Sequence, residues 1–190
     1  MDSKNILVVL GSPRKDGYST YLAKQCIEKL EKEHSNVEVI RLYDMNIKAC
    51  VACDSCRKPN SNFCILNDDM KPLYEKIIDC NGLVLAFPIY WFSINAQMKL
   101  FIDRFYAMAP WKTKVLKDKK VGAIIVYGDE DPYSSGAVNA IRSLQDTFSY
   151  TESKLCKVVY STEIAKEKRG KNEKMDKEIA ELVTTMISQE

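Results

Sequence analysis

Five short apolar runs punctuate the chain, at 6–10, 37–42, 82–87, 121–126 and 155–160, each built mainly from β-branched and aliphatic residues. Unbroken runs of this length, in place of strict in-out alternation, predict strands covered on both faces. Between and after them, stretches at about 18–33, 69–80, 95–107, 136–149 and 172–188 carry apolar residues at helical spacing. The order is strand then helix, five times over. Such alternation implies parallel strands joined by right-handed helical crossovers, and so a three-layer, doubly wound α/β domain with a five-stranded parallel sheet. Strand order 2-1-3-4-5 fits best. In sheets of that order, ligands bind beyond the carboxyl ends of the strands, where strands 1 and 3 diverge. Functional residues are therefore expected after Leu10, Phe87 and Val126.

Composition narrows the picture. With 190 residues, 46% of them hydrophobic, the chain is sized for a single domain over 1–190. Its 28 Lys and Arg nearly balance 26 Asp and Glu, and a formal charge of +2 gives no field of the kind nucleic acid binding needs. The first apolar run is too short for a signal peptide or a membrane span, so a cytoplasmic protein with no membrane partner is expected. Seven cysteines in such a chain point to thiols, metal ligation or redox chemistry rather than a disulfide framework. Two connections, 43–68 and 127–135, are longer than a compact α/β domain requires, which marks them as functional loops. The charge-rich approach to the last helix, 166–177, reads as solvated surface.

The first candidate site follows strand 1, in Gly11-Ser12-Pro13-Arg14-Lys15-Asp16-Gly17-Tyr18-Ser19-Thr20. Glycines permit tight turns, Ser12, Ser19 and Thr20 supply hydroxyls, Arg14 supplies charge, and a helix start supplies N–H groups without acceptors. A phosphate fits that donor set. An ordinary helix cap with Ser19 or Thr20 as the capping residue fits equally well from these residues alone. Neither a dinucleotide Gly-x-Gly-x-x-Gly nor a Walker lysine motif is present. After strand 3, Pro88-Ile89-Tyr90-Trp91-Phe92 sets three aromatics at the expected crevice, where they suit a planar ring, core packing or a subunit contact. On the next helix Lys99 and Asp103 are spaced to pair as structural support. After strand 4, Tyr127-Gly128-Asp129-Glu130-Asp131 combines a close-approach glycine with carboxylates that suit either a cosubstrate site or a solvated acidic turn.

The long loop at about 44–67 carries Cys50, Cys53, Cys56 and Cys64, spaced x2, x2 and x7. Four thiolates so placed suit a [4Fe–4S] cluster, a tetrahedral zinc ion, or reversible oxidation with nothing bound. Cys26, Cys80 and Cys156 fall in predicted helices and a strand, where a thiol packs as a small apolar group. The sole histidine, His34, follows the first helix and supports no metal site or triad.

The motif from Gly11 to Thr20, together with Phe87-Pro88-Ile89-Tyr90-Trp91 and the segment from Ala96 to Arg104, resembles NADPH-dependent FMN reductase-like proteins of flavodoxin-like fold. Tyr18 stands where such proteins commonly have asparagine, Phe92 where many have glycine, and the acidic turn replaces a glycine-rich one. The resemblance implies FMN, with its phosphate on Ser12, Pro13, Arg14, Ser19 and Thr20. It places the flavin ring against Pro88, Ile89, Tyr90, Trp91, Phe92, Tyr127, Gly128 and Asp129. It further implies NADPH or NADH as cosubstrate, a small-molecule electron acceptor, and a homodimer or homotetramer. No side chain is assigned as catalytic, since the flavin carries the chemistry. The cysteine loop is similar to that of iron-sulfur flavoproteins, which implies a second reading: an electron carrier exchanging electrons with a ferredoxin-like partner. A nonredox module holding zinc is the third.

Overall fold

The architecture comes from a computed structural model, which describes residues 3–61, 63–109, 114–163 and 172–188. Five parallel strands form the sheet: β1 (Asn5–Leu10), β2 (Asn36–Arg41), β3 (Gly82–Tyr90), β5 (Lys120–Tyr127) and β6 (Lys154–Thr162). They lie in the order β2-β1-β3-β5-β6, with β1 in register with Asn36–Arg41 on one side and Gly82–Ala86 on the other. Numbered among the parallel strands alone, this is the expected 2-1-3-4-5 path. The expected count of five strands is corrected by a sixth, the two-residue β4 (Ser93–Ile94), which pairs antiparallel with β3. It exists because β3 runs three residues past Phe87 and then folds back on itself.

Helices α1 (Tyr18–Lys32) and α5 (Glu173–Ile187) cover one face of the sheet, and α2 (Met70–Asp79), α3 (Ala96–Asp103) and α4 (Ala137–Tyr150) cover the other. Each face buries its own apolar cluster. Leu22, Ala23, Cys26, Leu30, Ile179 and Leu182 pack on Ile6, Val8, Val84 and Ile124, while Leu73, Ile77, Phe101, Leu144 and Phe148 pack on Leu7, Val9, Leu85 and Ile125. Alternate strand residues serve opposite clusters, so every residue of β1 from Ile6 to Leu10 is buried, and the continuous apolar run follows. The edge strand β2 departs from that pattern. Glu38 and Val39 are exposed, since β2 has a neighbour on one side only.

The helix expected over 95–107 divides into α3 and a tighter turn at Arg104–Met108, where the Arg104 side chain turns into the interior. Two lysines at the start of β5 close helix ends: Lys119 Nζ donates to the carbonyls of Ile78 (2.8 Å) and Cys80 (2.5 Å), and Lys120 Nζ to those of Thr185 (3.0 Å) and Ser188 (2.8 Å). Cations at helix carboxyl ends satisfy orphan carbonyls and oppose the dipole. Among the described residues no helix is long and apolar enough to cross a membrane. Of the charge-rich approach at 166–177, residues 166–171 lie outside the described residues.

Candidate functional site

The carboxyl end of β1 runs directly into a tight turn. The Gly11 amide extends the ladder by donating to the Ala86 carbonyl at 2.8 Å. A Cβ at Gly11 would stand 3.0 Å from both Phe87 Cβ and Asn95 Oδ1, so glycine lets the loop pass close to β3 and α3 without displacing them. Beyond it, the Arg14 amide donates to Ser12 Oγ at 3.2 Å, and the Arg14 carbonyl accepts from the Gly17 amide (3.2 Å) and the Thr20 hydroxyl (3.1 Å). Neither Ser19 nor Thr20 caps α1. Gly17 occupies the cap position with no side-chain bond, and both hydroxyl residues sit buried in the first helical turn. Helix geometry gives the Ser19 and Thr20 amides no acceptor inside the helix, so they are available to a group outside it.

One cleft of about 210 Å³ is lined by three of the segments expected to act together: Ser12, Arg14, Gly17, Tyr18 and Ser19 from the first loop and the start of α1, Pro88, Ile89 and Tyr90 from β3, and Val126 and Tyr127 from the end of β5 with Gly128 after it. Pro13, Thr20, Trp91, Phe92 and Asp129 do not line it. Val126 and Glu163 do, though neither was marked from the sequence. Glu163 follows β6, whose predicted end at Tyr160 is two residues too early, and the strand-end rule would have included it had the strand been read to Thr162. Its carboxylate meets Arg14 Nη1 at 3.2 Å with both side chains partly in water, so Arg14 stands at the mouth in an ion pair. Burial, with Tyr160 and Asp131 nearby, holds the Tyr127 phenol above its ordinary value. In the acidic turn, Asp131 accepts from the Tyr133 and Ser134 amides (2.7 and 3.1 Å) and from the Ser134 hydroxyl (2.8 Å). Those bonds lower its pKa and make it a turn-capping carboxylate.

Trp91 and Phe92 form the tip of the β3–β4 hairpin. The tip rests on the start of α4, where Asn139 Nδ2 donates to the Phe92 carbonyl at 3.2 Å. The pair expected on α3 is present, with Lys99 Nζ donating to Asp103.

The cysteine loop is closed at its neck rather than at its thiols. The amides of Asn46 and Lys48 donate to Asp69 (2.6 Å) and Asp68 (2.9 Å). Arg104 reaches across to both sides of this neck: Nη1 donates to Asp68 Oδ2 (2.5 Å) and the Lys48 carbonyl (2.8 Å), and Nη2 to Asp68 Oδ1 (3.2 Å). The two charged side chains are 1% and 0% exposed. Burial pushes the Asp68 carboxyl up, but the Arg104 guanidinium and the Lys48 amide outweigh it and leave the group below the ordinary carboxylate value. Such a bidentate pair is what makes a buried charge tolerable. Inside the loop, Cys50 and Cys53 are exposed, Cys56 is buried and Cys64 is half-buried. Among the described residues no three Cys, His, Asp or Glu side chains are gathered in a way that could hold a metal ion, so the four thiols as placed do not form a cluster or zinc site. Only Cys64 borders the larger hollow of about 670 Å³ between this loop and α2. The Ser55 hydroxyl and amide lower the pKa of the exposed Cys53 thiol. Burial raises Cys26 to about 12 and Cys80 to about 11, as expected of packed thiols, whereas Cys156 is only half-buried on β6.

Residues 4–158 match the family model of NADPH-dependent FMN reductase, more than three quarters of the chain. The chain belongs to this family. An iron-sulfur flavoprotein of Archaeoglobus fulgidus is 34% identical over 120 residues, 63% of this chain and 52% of the relative. Another, from Methanocaldococcus jannaschii, is 30% identical over 144 residues, 76% of this chain and 70% of that one. The chain thus spans from about half to seven tenths of the length of these curated relatives. The solved structure of an NAD(P)H:quinone oxidoreductase from Methanothermobacter marburgensis superposes with a TM-score of 0.75 at 17% identity, covering 100% of this chain and 98% of the other, which shows a shared flavodoxin-like fold.

The phosphate end of FMN fits the residues present. The loop offers buried hydroxyls at Ser12 and Ser19 and the amides of the first turn of α1. A Cβ at Gly17 would fill the cradle, standing 3.1 Å from Ser12 Oγ.

Proposed function

We propose that the protein is an FMN-dependent oxidoreductase that takes electrons from NADPH or NADH and passes them to a flavin, quinone, nitroaromatic or similar small acceptor. One observation carries the reading: the loops after β1, β3 and β5 line a single cleft whose inner end is a helix start rich in donors. Membership of the FMN reductase family supports it. When bound, FMN accepts hydride from the nicotinamide and returns electrons to the acceptor. The protein's part is placement. Ser12, Ser19 and the first turn of α1 hold the phosphate, and Pro88 to Tyr90 with Tyr127 and Gly128 wall the space beside it. Arg14, Trp91, Phe92 and Asp129 belong to the rim in this reading. The test is anaerobic mixing of the FMN-loaded chain with NADPH and with NADH, followed at the flavin absorbance. Bleaching with either is expected, and no bleaching with both would contradict the reductase assignment.

A second reading is supported by the spacing of Cys50, Cys53, Cys56 and Cys64 and by relatives named iron-sulfur flavoproteins. In it the chain is an electron carrier with a ferredoxin-like partner, and the loop must rearrange to bring its thiols together. Anaerobic purification with iron, zinc and flavin analysis separates the readings: flavin without iron supports the reductase alone, and stoichiometric iron with flavin supports the carrier.

A further inference from the structure

Asn95 stands at the cap position of α3, where an asparagine ordinarily turns its side-chain oxygen to the first amides of its own helix. Here it makes no such bond. The residue is 1% exposed, and its Nδ2 donates to the Gly11 carbonyl at 2.6 Å and to Gln97 Oε1 at 2.9 Å. A carbonyl accepts only from the nitrogen, which fixes the way the amide group faces. Oδ1 is then left buried with no hydrogen-bond partner, and it lies 3.0 Å from where a Cβ on Gly11 would stand. A buried acceptor without a donor is costly, and capping α3 would have satisfied it. The side chain therefore serves the Gly11 carbonyl rather than its own helix. Gly11 is the last residue before the loop, and its amide is already held by the Ala86 carbonyl at 2.8 Å, so Asn95 completes the fixing of this residue on its carbonyl side. The Gly11 carbonyl and the Ser12 amide belong to one planar trans unit and point opposite ways. With the carbonyl drawn to the start of α3, the Ser12 N–H is turned away from α3, which covers the sheet face opposite α1. Ser12 lines the cleft.

We propose that Asn95 is a positioning residue for the cofactor phosphate: its hold on the Gly11 carbonyl aims the Ser12 amide at the phosphate as a donor. The proposal rests on the FMN reading above. Asn95 is outside the cleft lining, so it acts through the peptide unit it holds and not by touching the ligand. A donor fixed before the ligand arrives needs no ordering on binding, which is where its contribution to affinity lies. The effect falls on the phosphate and spares the flavin ring.

The experiment titrates the full apo chain, Asn95→Ala and Asn95→Leu with FMN and with riboflavin, following flavin fluorescence. Alanine removes the donor and the bulk, whereas leucine removes the donor and keeps a branched side chain in the space. Both variants are expected to bind FMN about ten-fold more weakly, the loss of one charge-assisted hydrogen bond, and riboflavin within about two-fold of the wild type. An unchanged ratio of FMN to riboflavin affinity overturns the proposal. So does equal weakening of both ligands, which marks a general disturbance, or recovery of the ratio in Asn95→Leu, which would mean that the side chain acts by filling space. A second measurement needs no variant. In amide proton spectra of the wild type, the Ser12 signal is expected to move downfield with FMN and not with riboflavin, and a Ser12 amide that answers both alike overturns the proposal even if neither variant folds. If the wild-type chain takes up no FMN, or binds FMN and riboflavin equally, the cofactor reading fails first and the proposal with it.

Discussion

The phosphate loop and the cysteine loop were the two most marked motifs in the chain, and their chemistry is organised in opposite ways. In the first, the groups proposed to hold the phosphate are set before any ligand arrives: Ser12, Gly17 and Thr20 are tied to the Arg14 backbone, and the start of α1 opens into a cleft shared with β3 and β5. In the second, the scaffold is set and the liganding groups are not. The Arg104–Asp68 pair fixes the neck, while Cys50 and Cys53 face solvent and Cys56 faces the core. A helix start fixes backbone donors as part of making the helix, whereas thiols on an irregular loop are placed by whatever they bind.

The largest expected effect breaks the neck. Arg104→Met leaves the Asp68 carboxylate buried without its partner and should cost about 3–5 kcal/mol in denaturant unfolding at neutral pH. Its pH dependence sharpens the point. In the wild type the folded pKa of Asp68 lies below the unfolded one, so the pair's contribution is full above the ordinary value of about 4 and is lost as the pH falls through the folded pKa. In the variant, only the Lys48 and Met70 amides oppose burial, so the group rises relative to the wild type and the penalty should shrink as the pH is lowered toward 4. A penalty independent of pH would mean that the variant disturbs packing instead.

Next is Ser12→Glu, which sets a carboxylate against the phosphate position and should weaken FMN binding at least about 100-fold, or 2.7 kcal/mol, in a fluorescence titration. Unchanged affinity would remove the loop from the phosphate site. The smallest effect is expected from Cys53→Ala. Exposed Cys53 supports nothing in the core, so unfolding free energy should stay within about 0.5 kcal/mol and FMN affinity within two-fold. If the loop gathers around iron, the same variant loses its iron. Iron retained at the wild-type ratio would exclude Cys53 as a ligand.

The sheet and its five covering helices were legible because burial on both faces writes continuous apolar runs and burial on one face of a helix writes a 3.6-residue period. The two loops lining the cleft beside β3 were legible from their position at strand ends. The β4 hairpin was not, because its turn carries Trp-Phe where turn chemistry calls for Asn-Gly; Trp91 and Phe92, which the resemblance sets against the ring, stand at its tip, outside the cleft lining. The Arg104–Asp68 pair joins residues 36 apart in the chain, and nothing local in either segment announces the partner. Glu163 was hidden by a strand read too short. For the cysteines, spacing is compatible with metal ligation, but proximity depends on loop conformation, which spacing does not encode.

The central claim is that the loop from Ser12 to Thr20 is a phosphate cradle, and titrating the apo chain with FMN and with riboflavin in parallel tests it most directly. The two ligands share the ring and differ by the phosphate. FMN is expected to bind at least about 100-fold more tightly, as several charge-assisted hydrogen bonds to one phosphate require. Equal affinities would contradict the account.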